Sequence, residues 1–506
     1  MGRYFMTTSI PYVNGTPHIG HALELVETDV LARHLRQRGH EVRAQTGTDD
    51  NALKNVQGAE AEGVDVQSYV DRMAAKFVEL EAPLQLSFDD FIKTSSDPRH
   101  RPGAEKLWQA CADNGDFYRK SYSGLYCVGC EQFYGEDELI EGRCPEHGTI
   151  PELVEENNWF FRLSKYQDQL AKLISSDELR IEPASRKREV LSFIEAGLED
   201  FSASRSMARA RGWGVPVPGD PDQVMYVWFD ALGNYITAPG YATDPETFEY
   251  WWDGADERIH VIGKGIIRFH AVYWPAMLLS AGVRLPDTIF VHEYLTANGE
   301  KISKSLGNAE EPADIVTRYG TDAVRWWMLR DVSRAGDTDY TDERLVGRAN
   351  EDLANNIGNL VNRSVSMVHR YRDGVLPALA EDNPAASNLR AARASAAGDI
   401  DAALAAFDFR RAVEAVVRIG DEGNRYVEAT TPWVLAKAEK KEAAAPGALD
   451  AVLAELVATA RDLAEHLTPF LPAAAGRIRQ QTGDGGDRVA EPAPVFPRLE
   501  LASAEA

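Results

Sequence analysis

YFMTTSIPYVNGTPHIGH, residues 4–21, is the most informative stretch of this sequence for the fold. Its run Tyr4–Ile10 is strand-like, and a helical pattern follows over residues 18–38. Gly39 ends that helix before a second strand-like run, Glu41–Thr46. A strand, a helix and a second strand in succession predict a parallel sheet whose functional loops lie at the carboxyl ends of its strands.

Length and composition are those of a globular protein with more than one core. The chain has 506 residues, 44% of them hydrophobic and 26% charged, and a domain takes about 100–200 residues. Its 54 basic and 79 acidic residues give a net charge of −25, which disfavours indiscriminate binding to polyanions. No run is long enough to span a membrane and the N-terminal residues lack a signal-peptide pattern, so we expect a cytoplasmic protein without a membrane partner.

The sequence pattern changes twice along the chain. Short aromatic, cysteine- and glycine-containing strands begin near residue 118, and longer strand-like runs return at Val224–Phe229, Ile259–Ile262 and Ile289–His292. From Asp342 onward the pattern is helical nearly to the end. We therefore predict an α/β fold: a Rossmann-like parallel-sheet domain, split by an insertion and followed by an all-α bundle. The predicted bounds are 1–114 and 216–290 for the two halves of the sheet domain, 115–215 for the insertion, 291–350 for a lysine-loop region and 351–506 for the bundle.

Two short motifs far apart in the chain carry groups suited to phosphate. PHIGH, residues 17–21, places His18 and His21 at the head of the first helix, where backbone N–H groups attract anions. KISKS, residues 301–305, places Lys301 and Lys304 on a loop that suits a departing polyphosphate. Each motif alone recurs by chance in solvated helices and loops. Together they predict nucleotide-dependent activation of an acyl group.

Three of the four cysteines form a cluster with a histidine. Cys127 and Cys130 are separated by thirteen residues from Cys144 and His147, in a Cys-x2-Cys and Cys-x2-His arrangement. Thiolates and an imidazole on two turns match the four ligands of a structural zinc ion. The alternative, cysteines scattered in a core beside a surface histidine, fits two correctly spaced pairs poorly. Cys111 lies outside the cluster, and we expect it to be a buried apolar residue.

Several conspicuous residues have two interpretations each. Asp49 and Asp50 end a strand at the predicted sheet edge, where a carboxylate binds a substrate ammonium group or forms a turn. Trp228, Phe229 and His270 lie in motifs that suit either a pocket or a core.

The helical part contains a similar ambiguity. Asn359 and Arg363 lie at positions i and i+4 of one helix, and Trp433 begins another. These side chains suit the reading of unstacked bases in an RNA loop. A capped helix with a packed tryptophan is the alternative.

Seven segments together resemble one family. PYVNGTPHIGH, TGTDD, the cysteine–histidine cluster, VWFDAL, EKISKSLGN, DLANNIGNLVNR and NRYVEATTPWVLAK occur in the order found in bacterial methionyl-tRNA synthetases of the short, single-zinc type. The similarity runs from the first strand to about residue 475. Other class I synthetases share the first-helix and lysine-loop motifs but not the last two segments.

The resemblance implies activation of L-methionine with ATP and transfer to the 3′-terminal adenosine of tRNA(Met), initiator and elongator. It implies one structural Zn²⁺, Mg²⁺ that accompanies ATP, and a monomer. The implied catalytic residues are His18, His21, Lys301 and Lys304; ATP would also contact Gly20, Glu24 and Gly263; methionine would contact Ile10, Tyr12, Asp49, Trp228, Ala231, Tyr235, Ile266 and His270; the anticodon would contact Asn359, Arg363 and Trp433; and Cys127, Cys130, Cys144 and His147 would bind the zinc.

The sequence departs from the family pattern in three places. Asp50, Asn51 and Ala52 replace the usual Glu-His-Gly, Gly265 replaces an aspartate, and Ile302 replaces a methionine. The first two departures fall in the expected active site. They leave open a divergent paralogue with altered amino-acid or inhibitor sensitivity, or a catalytically impaired tRNA-binding protein.

Overall fold

The computed structural model describes residues 1–130, 132–146, 148–297, 299–302, 310–441 and 447–502. The chain forms two compact units. The first comprises Met1–Pro17, Arg38–Glu81 and Ser87–His292, and the second comprises His18–Gln37, Ala82–Leu86 and the chain from Glu293 onward. None of the described helices is both long and apolar enough to cross a membrane.

The strands, in chain order, are β1 Arg3–Thr8, β2 Glu41–Thr48, β3 Asp90–Lys93, β4 Phe117–Cys127, β5 Gln132–Tyr134, β6 Glu152–Phe161, β7 Arg180–Glu182, β8 Phe201–Ser202, β9 Ser204–Ser206, β10 Pro216–Val217, β11 Asp220–Met225, β12 Glu257–Gly263, β13 Thr288–His292, β14 Leu295–Ala297, β15 Glu300–Lys301 and β16 Thr338–Tyr340.

The helices are α1 Ile19–Gln37, α2 Leu53–Glu62, α3 Val66–Val78, α4 Glu81–Leu84, α5 His100–Asp113, α6 Gln167–Ser175, α7 Ala184–Glu195, α8 Val227–Leu232, α9 Asn234–Thr237, α10 Pro245–Phe248, α11 Trp274–Ala281, α12 Pro312–Tyr319, α13 Thr321–Arg330, α14 Asp342–Arg348, α15 Asn359–Arg372, α16 Ser387–Ala405, α17 Phe409–Thr430, α18 Pro432–Glu439, α19 Ala448–Leu467 and α20 Pro472–Gln481. Residues Ala349–Gly358 form a π-helical turn between α14 and α15.

The main sheet of the first unit is parallel, as the opening residues predict. Its strand order is β3-β2-β1-β12-β13-β7, and every neighbouring pair is parallel. In central β1, Thr7 pairs with Gln45 on one side and with His260 on the other. Residues 5–8 are all buried, as expected for a strand covered on both faces.

The structure differs from the sequence prediction at the strand expected over Val224–Phe229. β11 ends at Met225, and the N–H groups of Phe229 and Asp230 donate to the carbonyl of Tyr226, which starts α8. A short apolar run does not distinguish a buried strand from a buried helix, so the sequence pattern could not locate this break. As a result, Trp228 and Asp230 lie on a helix directly after a strand.

Two small antiparallel sheets lie in and next to the predicted insertion, residues 115–215. The four-stranded sheet falls inside these bounds, whereas β10 and β11 of the three-stranded sheet begin at Pro216, beyond the predicted end. One has the order β5-β4-β6-β8 and the other β10-β11-β9. β4 and β6 pair from Phe117–Phe161 to Tyr126–Glu152. This long hairpin carries Cys127 at the far end of β4.

The second unit is mainly helical, and an ion pair ties two of its helices together. Arg325 of α13 donates from Nη2 to Asp29 Oδ2 of α1 at 2.8 Å, and both side chains are fully buried. Its other N–H groups donate to the carbonyls of Leu84 and Phe470 at 2.9 and 2.7 Å. A buried charge needs such complete pairing because its desolvation is costly. Arg325 therefore fixes α1, the helix that begins with the histidine motif.

Candidate functional site

The start of α1, in the second unit, holds its two histidines in one defined arrangement. The rings of His18 and His21 stack with centroids 3.8 Å apart. The backbone N–H of His18 donates to His21 Nδ1 at 3.1 Å, and that of Gly20 donates to His18 Nδ1 at 3.2 Å. A nitrogen that accepts a hydrogen bond carries no proton, so each neutral ring carries its proton on Nε2. Both rings are thereby set as Nε2–H donors at a helix N-terminus.

Gly20 makes this arrangement possible. A Cβ at Gly20 would lie 3.1 Å from atoms of the His18 ring, closer than side chains normally pack. Glu24, one turn further along α1, is buried.

The lysine loop is described only in part. The backbone of Lys301 lies in β15 and pairs with Thr296 of β14, while Lys304 lies outside the described residues. The roles of both lysines remain predictions.

In the first unit, the residues expected to bind methionine form an aromatic cluster. Trp228 stacks on Phe269 with centroids 3.9 Å apart and planes inclined by 3°. Tyr12 and His270 each present an edge-type contact to Trp228, at 6.2 Å. Phe269 was not among the predicted pocket residues, although it directly precedes His270 in the sequence. The cluster provides a flat, apolar wall.

His270 is a neutral member of this wall. Its Nδ1 lies 2.9 Å from the carbonyl oxygen of Ile266, so Nδ1 carries the proton. Its Nε2 therefore accepts from the hydroxyl of Tyr235, at 2.7 Å. Burial lowers the pKa of His270 from 6.5 to about 4. Both ring nitrogens are used within the protein, and the ring adds no charge to the wall at neutral pH.

Asp49 lies beside Tyr12 at the sheet edge. The two residues form a parallel bridge, and the Asp49 N–H donates to the carbonyl of Pro11 at 2.9 Å. One carboxylate oxygen of Asp49 accepts the backbone N–H of Asn51 at 3.2 Å. Asp49 is 2% exposed. The carboxylate is therefore buried, and its bond to the N–H two residues later is the turn that the alternative interpretation predicts. A role of Asp49 in binding an ammonium group stays a prediction.

The remaining expected pocket residues follow the same elements. Ala231 is buried on α8, Ile10 follows β1, Ile266 follows β12, and Gly263 is the last residue of β12. β1 and β12 are neighbouring parallel strands of the sheet, so the segments that carry Ile10 and Ile266 begin at adjacent strand ends.

A buried hydrogen-bond network behind Asp49 was not predicted from the sequence. Asp230 accepts from Asn51 Nδ2 at 2.6 Å and contacts His100 Nε2 at 2.7 Å. His100 Nδ1 lies 3.0 Å from Thr237 Oγ1. Asp230 and His100 are 1% and 0% exposed. The asparagine at position 51 therefore has a defined partner, and the network connects α5 and α8 with the loop that carries Asp49.

The cysteine cluster has the geometry of a metal site. The sulfur atoms of Cys127, Cys130 and Cys144 all lie within 4.8 Å of one another, and the Tyr134 hydroxyl donates to Cys130 Sγ at 3.0 Å. Three thiolates at this spacing fit one tetrahedral ion with bonds of about 2.3 Å. The expected fourth ligand, His147, lies outside the described residues. Cys111 is buried elsewhere, as expected.

The three residues expected to read RNA are brought together in the second unit. Asn359 begins α15 and is exposed, and Arg363 lies one turn later. The Arg363 guanidinium carbon is 5.8 Å from the centroid of Trp433, whose side chain is 46% exposed. An exposed indole beside an arginine provides a surface on which bases stack. Trp433 is thus about half buried, and its role in stacking on a base stays a prediction.

A six-stranded parallel sheet and a pair of histidines at the start of the first helix are features of the class I synthetase fold, and comparisons with known proteins agree. The family described as tRNA synthetases class I (M) matches residues 4–150 and 146–365, and the anticodon binding domain of methionyl tRNA ligase matches residues 376–493. The methionine–tRNA ligase of Rhizobium meliloti is 40% identical, covering 98% of both chains, and that of Fusobacterium nucleatum is 37% identical, covering 99% of this chain and 81% of the relative.

A solved structure points the same way. Mycobacterium tuberculosis methionyl-tRNA synthetase in complex with methionyl-adenylate superposes with a TM-score of 0.92 at 39% identity, covering 98% of this chain and all of the other. The chain therefore belongs to the methionyl-tRNA synthetase family.

Proposed function

We propose that this chain is a methionine–tRNA ligase, which activates L-methionine with ATP, releases pyrophosphate and transfers the methionyl group to the 3′-terminal adenosine of tRNA(Met). The observation that carries the proposal is the neutral aromatic wall of Trp228, Phe269 and His270 in the unit that also holds buried Asp49. Family membership supports it independently. We propose further that the protein is cytoplasmic and acts as a monomer.

Selection of methionine follows from the chemistry of its side chain. A thioether is apolar and polarisable and packs well against aromatic rings. The proposed pocket meets it with ring faces, since both nitrogens of His270 are occupied by Tyr235 and Ile266. Asp49 would bind the α-ammonium group. An apolar pocket distinguishes close isosteres by only about 1–3 kcal/mol, so selectivity against norleucine is expected to be modest.

The first reaction step needs alignment and charge stabilisation, not a protein nucleophile. The methionine carboxylate attacks the α-phosphorus of ATP, and pyrophosphate leaves. His18 and His21 would donate from Nε2–H to phosphate oxygens, and Glu24 would contact the ribose. Lys301 and Lys304 would hold the leaving pyrophosphate. Mg²⁺ bound with ATP would neutralise further charge on the phosphates.

In the second step, the terminal adenosine hydroxyl of the tRNA attacks the carbonyl of methionyl-adenylate, and AMP leaves. Recognition of the tRNA is proposed to rest on Asn359, Arg363 and Trp433, which would stack on and hydrogen-bond the CAU anticodon. The predicted domain bounds and the fourth zinc ligand, His147, remain part of this proposal.

Charging of a CAU transcript, compared with the same tRNA carrying another anticodon, tests the proposed function. Loss of one stacked base costs about 1–3 kcal/mol, so the changed anticodon should lower charging by roughly 5- to 150-fold. Lys304→Ala should abolish methionine activation and leave tRNA binding intact. Charging that ignores the anticodon, or no charging by the unaltered chain, would contradict the proposal.

The proposed zinc ion is tested by metal content. The purified chain should contain one zinc ion, and Cys144→Ser should reduce that content because one of three clustered thiolates is lost. Cys111→Ser is the matched control, since Cys111 lies outside the cluster. Zinc-free wild-type protein that is fully folded would argue against a structural ion.

A further inference from the structure

A cleft in the first unit contains two arginines with unused N–H groups. Asn51, Tyr126, Arg205, Arg209 and Trp213 are among the residues that line it. No carboxylate is found among its described lining residues. In a protein with a net charge of −25, such a cationic cleft is a local feature that needs an explanation.

Arg205 forms the fixed part of the cleft. The residue is 7% exposed, and its Nη1 donates to the carbonyls of Ser202 and Ser204 at 2.9 and 2.8 Å. Its guanidinium carbon lies 4.2 Å from the ring centroid of Tyr226. Its Nε is buried and has no hydrogen-bond partner among the described residues. The guanidinium is thus held in position by Nη1, and its buried Nε–H has no acceptor among the described residues.

Arg209 supplies the second cation. It stacks over Tyr126 at 4.4 Å, on the ring that also borders Arg205. Its Nε and Nη2 are buried, and their N–H groups have no hydrogen-bond acceptor among the described residues. Its Nη2 forms a long ion pair, 3.9 Å, with Oε2 of Glu152, whose side chain is 66% exposed. Buried guanidinium N–H groups without acceptors are costly, and an anion is one group that would satisfy them.

The position of the cleft relates it to the amino-acid pocket. Asn51 lies two residues after Asp49, and the indole N–H of Trp213 donates to the carbonyl of Asp50 at 2.9 Å. Val227, another lining residue, directly precedes Trp228. The cleft therefore borders both segments that carry the proposed methionine site. Trp213 also offers a ring on which a base stacks.

We propose that this cleft is a phosphate-binding subsite in which Arg205 and Arg209 together hold one phosphate group. Guanidinium N–H pairs match phosphate oxygens in geometry and charge. On the proposed function, two sources supply this chemistry: a phosphodiester near the 3′ end of the tRNA, and the polyphosphate of ATP or pyrophosphate. The two sources act in different partial reactions, which separates them.

Arg209→Gln is the test, with Arg211→Gln as the matched control. Arg211 lies on the same turn, pairs with Glu60 and is not among the residues that line the cleft, so its replacement changes the charge equally. A charged hydrogen bond contributes about 1.5–3 kcal/mol. Arg209→Gln should therefore weaken phosphate-dependent binding about tenfold or more, and Arg209→Lys should restore part of the loss.

Three measurements separate the outcomes. If tRNA is the source, Arg209→Gln raises the KM for tRNA and lowers the salt slope of tRNA affinity by about 0.7–0.9. If the nucleotide is the source, Arg209→Gln raises the KM for pyrophosphate in ATP–pyrophosphate exchange. Calorimetric titration of the wild-type protein and the variant with inorganic pyrophosphate measures binding in the absence of catalysis.

Equal behaviour of the Arg209→Gln and Arg211→Gln variants in all three measurements would overturn the subsite. Failure of the proposed function looks different: wild-type protein would then catalyse neither exchange nor charging with methionine, whereas pyrophosphate titration would still distinguish the two variants if the subsite exists.

Discussion

Replacement of Asp230 by alanine tests the network behind the proposed ammonium site. The carboxylate accepts one hydrogen bond from Asn51 at 2.6 Å and one from His100 at 2.7 Å, and only 1% of the residue is exposed. Hydrogen bonds to a charged group contribute about 1.5–3 kcal/mol each. The alanine variant also leaves the fully buried N–H of His100 without this acceptor and removes the shorter of the two hydrogen bonds of the part-buried Asn51 amide. We therefore expect the free energy of unfolding to fall by about 3–5 kcal/mol.

Replacement of Asp230 by alanine should raise the KM for methionine more than the KM for ATP. Asn51 donates its backbone N–H to Asp49 at 3.2 Å, so release of the Asn51 side chain loosens the carboxylate proposed to bind the α-ammonium group. The KM for methionine in pyrophosphate exchange should rise about tenfold, which corresponds to one weakened charged contact. The KM for ATP should change much less.

Urea denaturation and exchange kinetics of Asp230→Ala and Asp230→Asn give the comparison. The asparagine keeps the volume and one acceptor oxygen, so its loss of stability should be less than half that of alanine. A loss below about 1 kcal/mol in the alanine variant, or equal rises in both KM values, would refute this reasoning.

Three further predictions concern other parts of the molecule. Burial lowers the pKa of His270 from 6.5 to about 4, so the unfolded chain takes up a proton before the folded chain does as the pH falls. The contribution of His270 to the free energy of unfolding is complete above pH 6.5 and should decrease by about 3 kcal/mol on reaching pH 4. Denaturation curves of the His270→Phe variant should lack this decrease. Arg325→Ala should lower the free energy of unfolding by about 3–5 kcal/mol, because Asp29 and the surrounding carbonyls lose a fully buried donor. Trp433→Ala should lower tRNA charging roughly 5- to 150-fold relative to pyrophosphate exchange, since only charging uses a stacked anticodon base.

Each of these has a distinct contrary result. A pH profile of stability identical in wild type and His270→Phe would mean that the imidazole is not held neutral. Unchanged stability of Arg325→Ala would show that the ion pair does not hold α1. Equal effects of Trp433→Ala on charging and exchange would indicate a folding defect and not a role at the anticodon.

The parallel sheet was predictable because its signals are local. The run from Tyr4 to Ile10, the helix that Gly39 ends and the strand from Glu41 follow one another directly, and the structure places β1 beside β2 as expected. The helix at Val227 was not predictable, because the apolar residues before it have no period that distinguishes strand from helix.

The candidate site was predictable only where one motif holds the whole feature. The paired cysteines and the histidine-headed helix are of this kind. Asn51, His100 and Asp230 are different: 130 residues separate His100 from Asp230 and 179 separate Asn51 from it. Nothing in their local sequence indicates that they meet, since ordinary aspartates and histidines occur throughout the chain. The two arginines of the cleft were missed for the same reason.

Pyrophosphate exchange with each of the twenty amino acids and norleucine tests the central claim most directly. Methionine alone among the twenty should support rapid exchange, because Trp228, Phe269 and His270 form a neutral aromatic wall in the same unit as the buried carboxylate of Asp49. Norleucine should follow about 10- to 200-fold behind in kcat/KM. Exchange that is faster with any other natural amino acid, or that is absent with methionine, would contradict the assignment of this pocket to methionine.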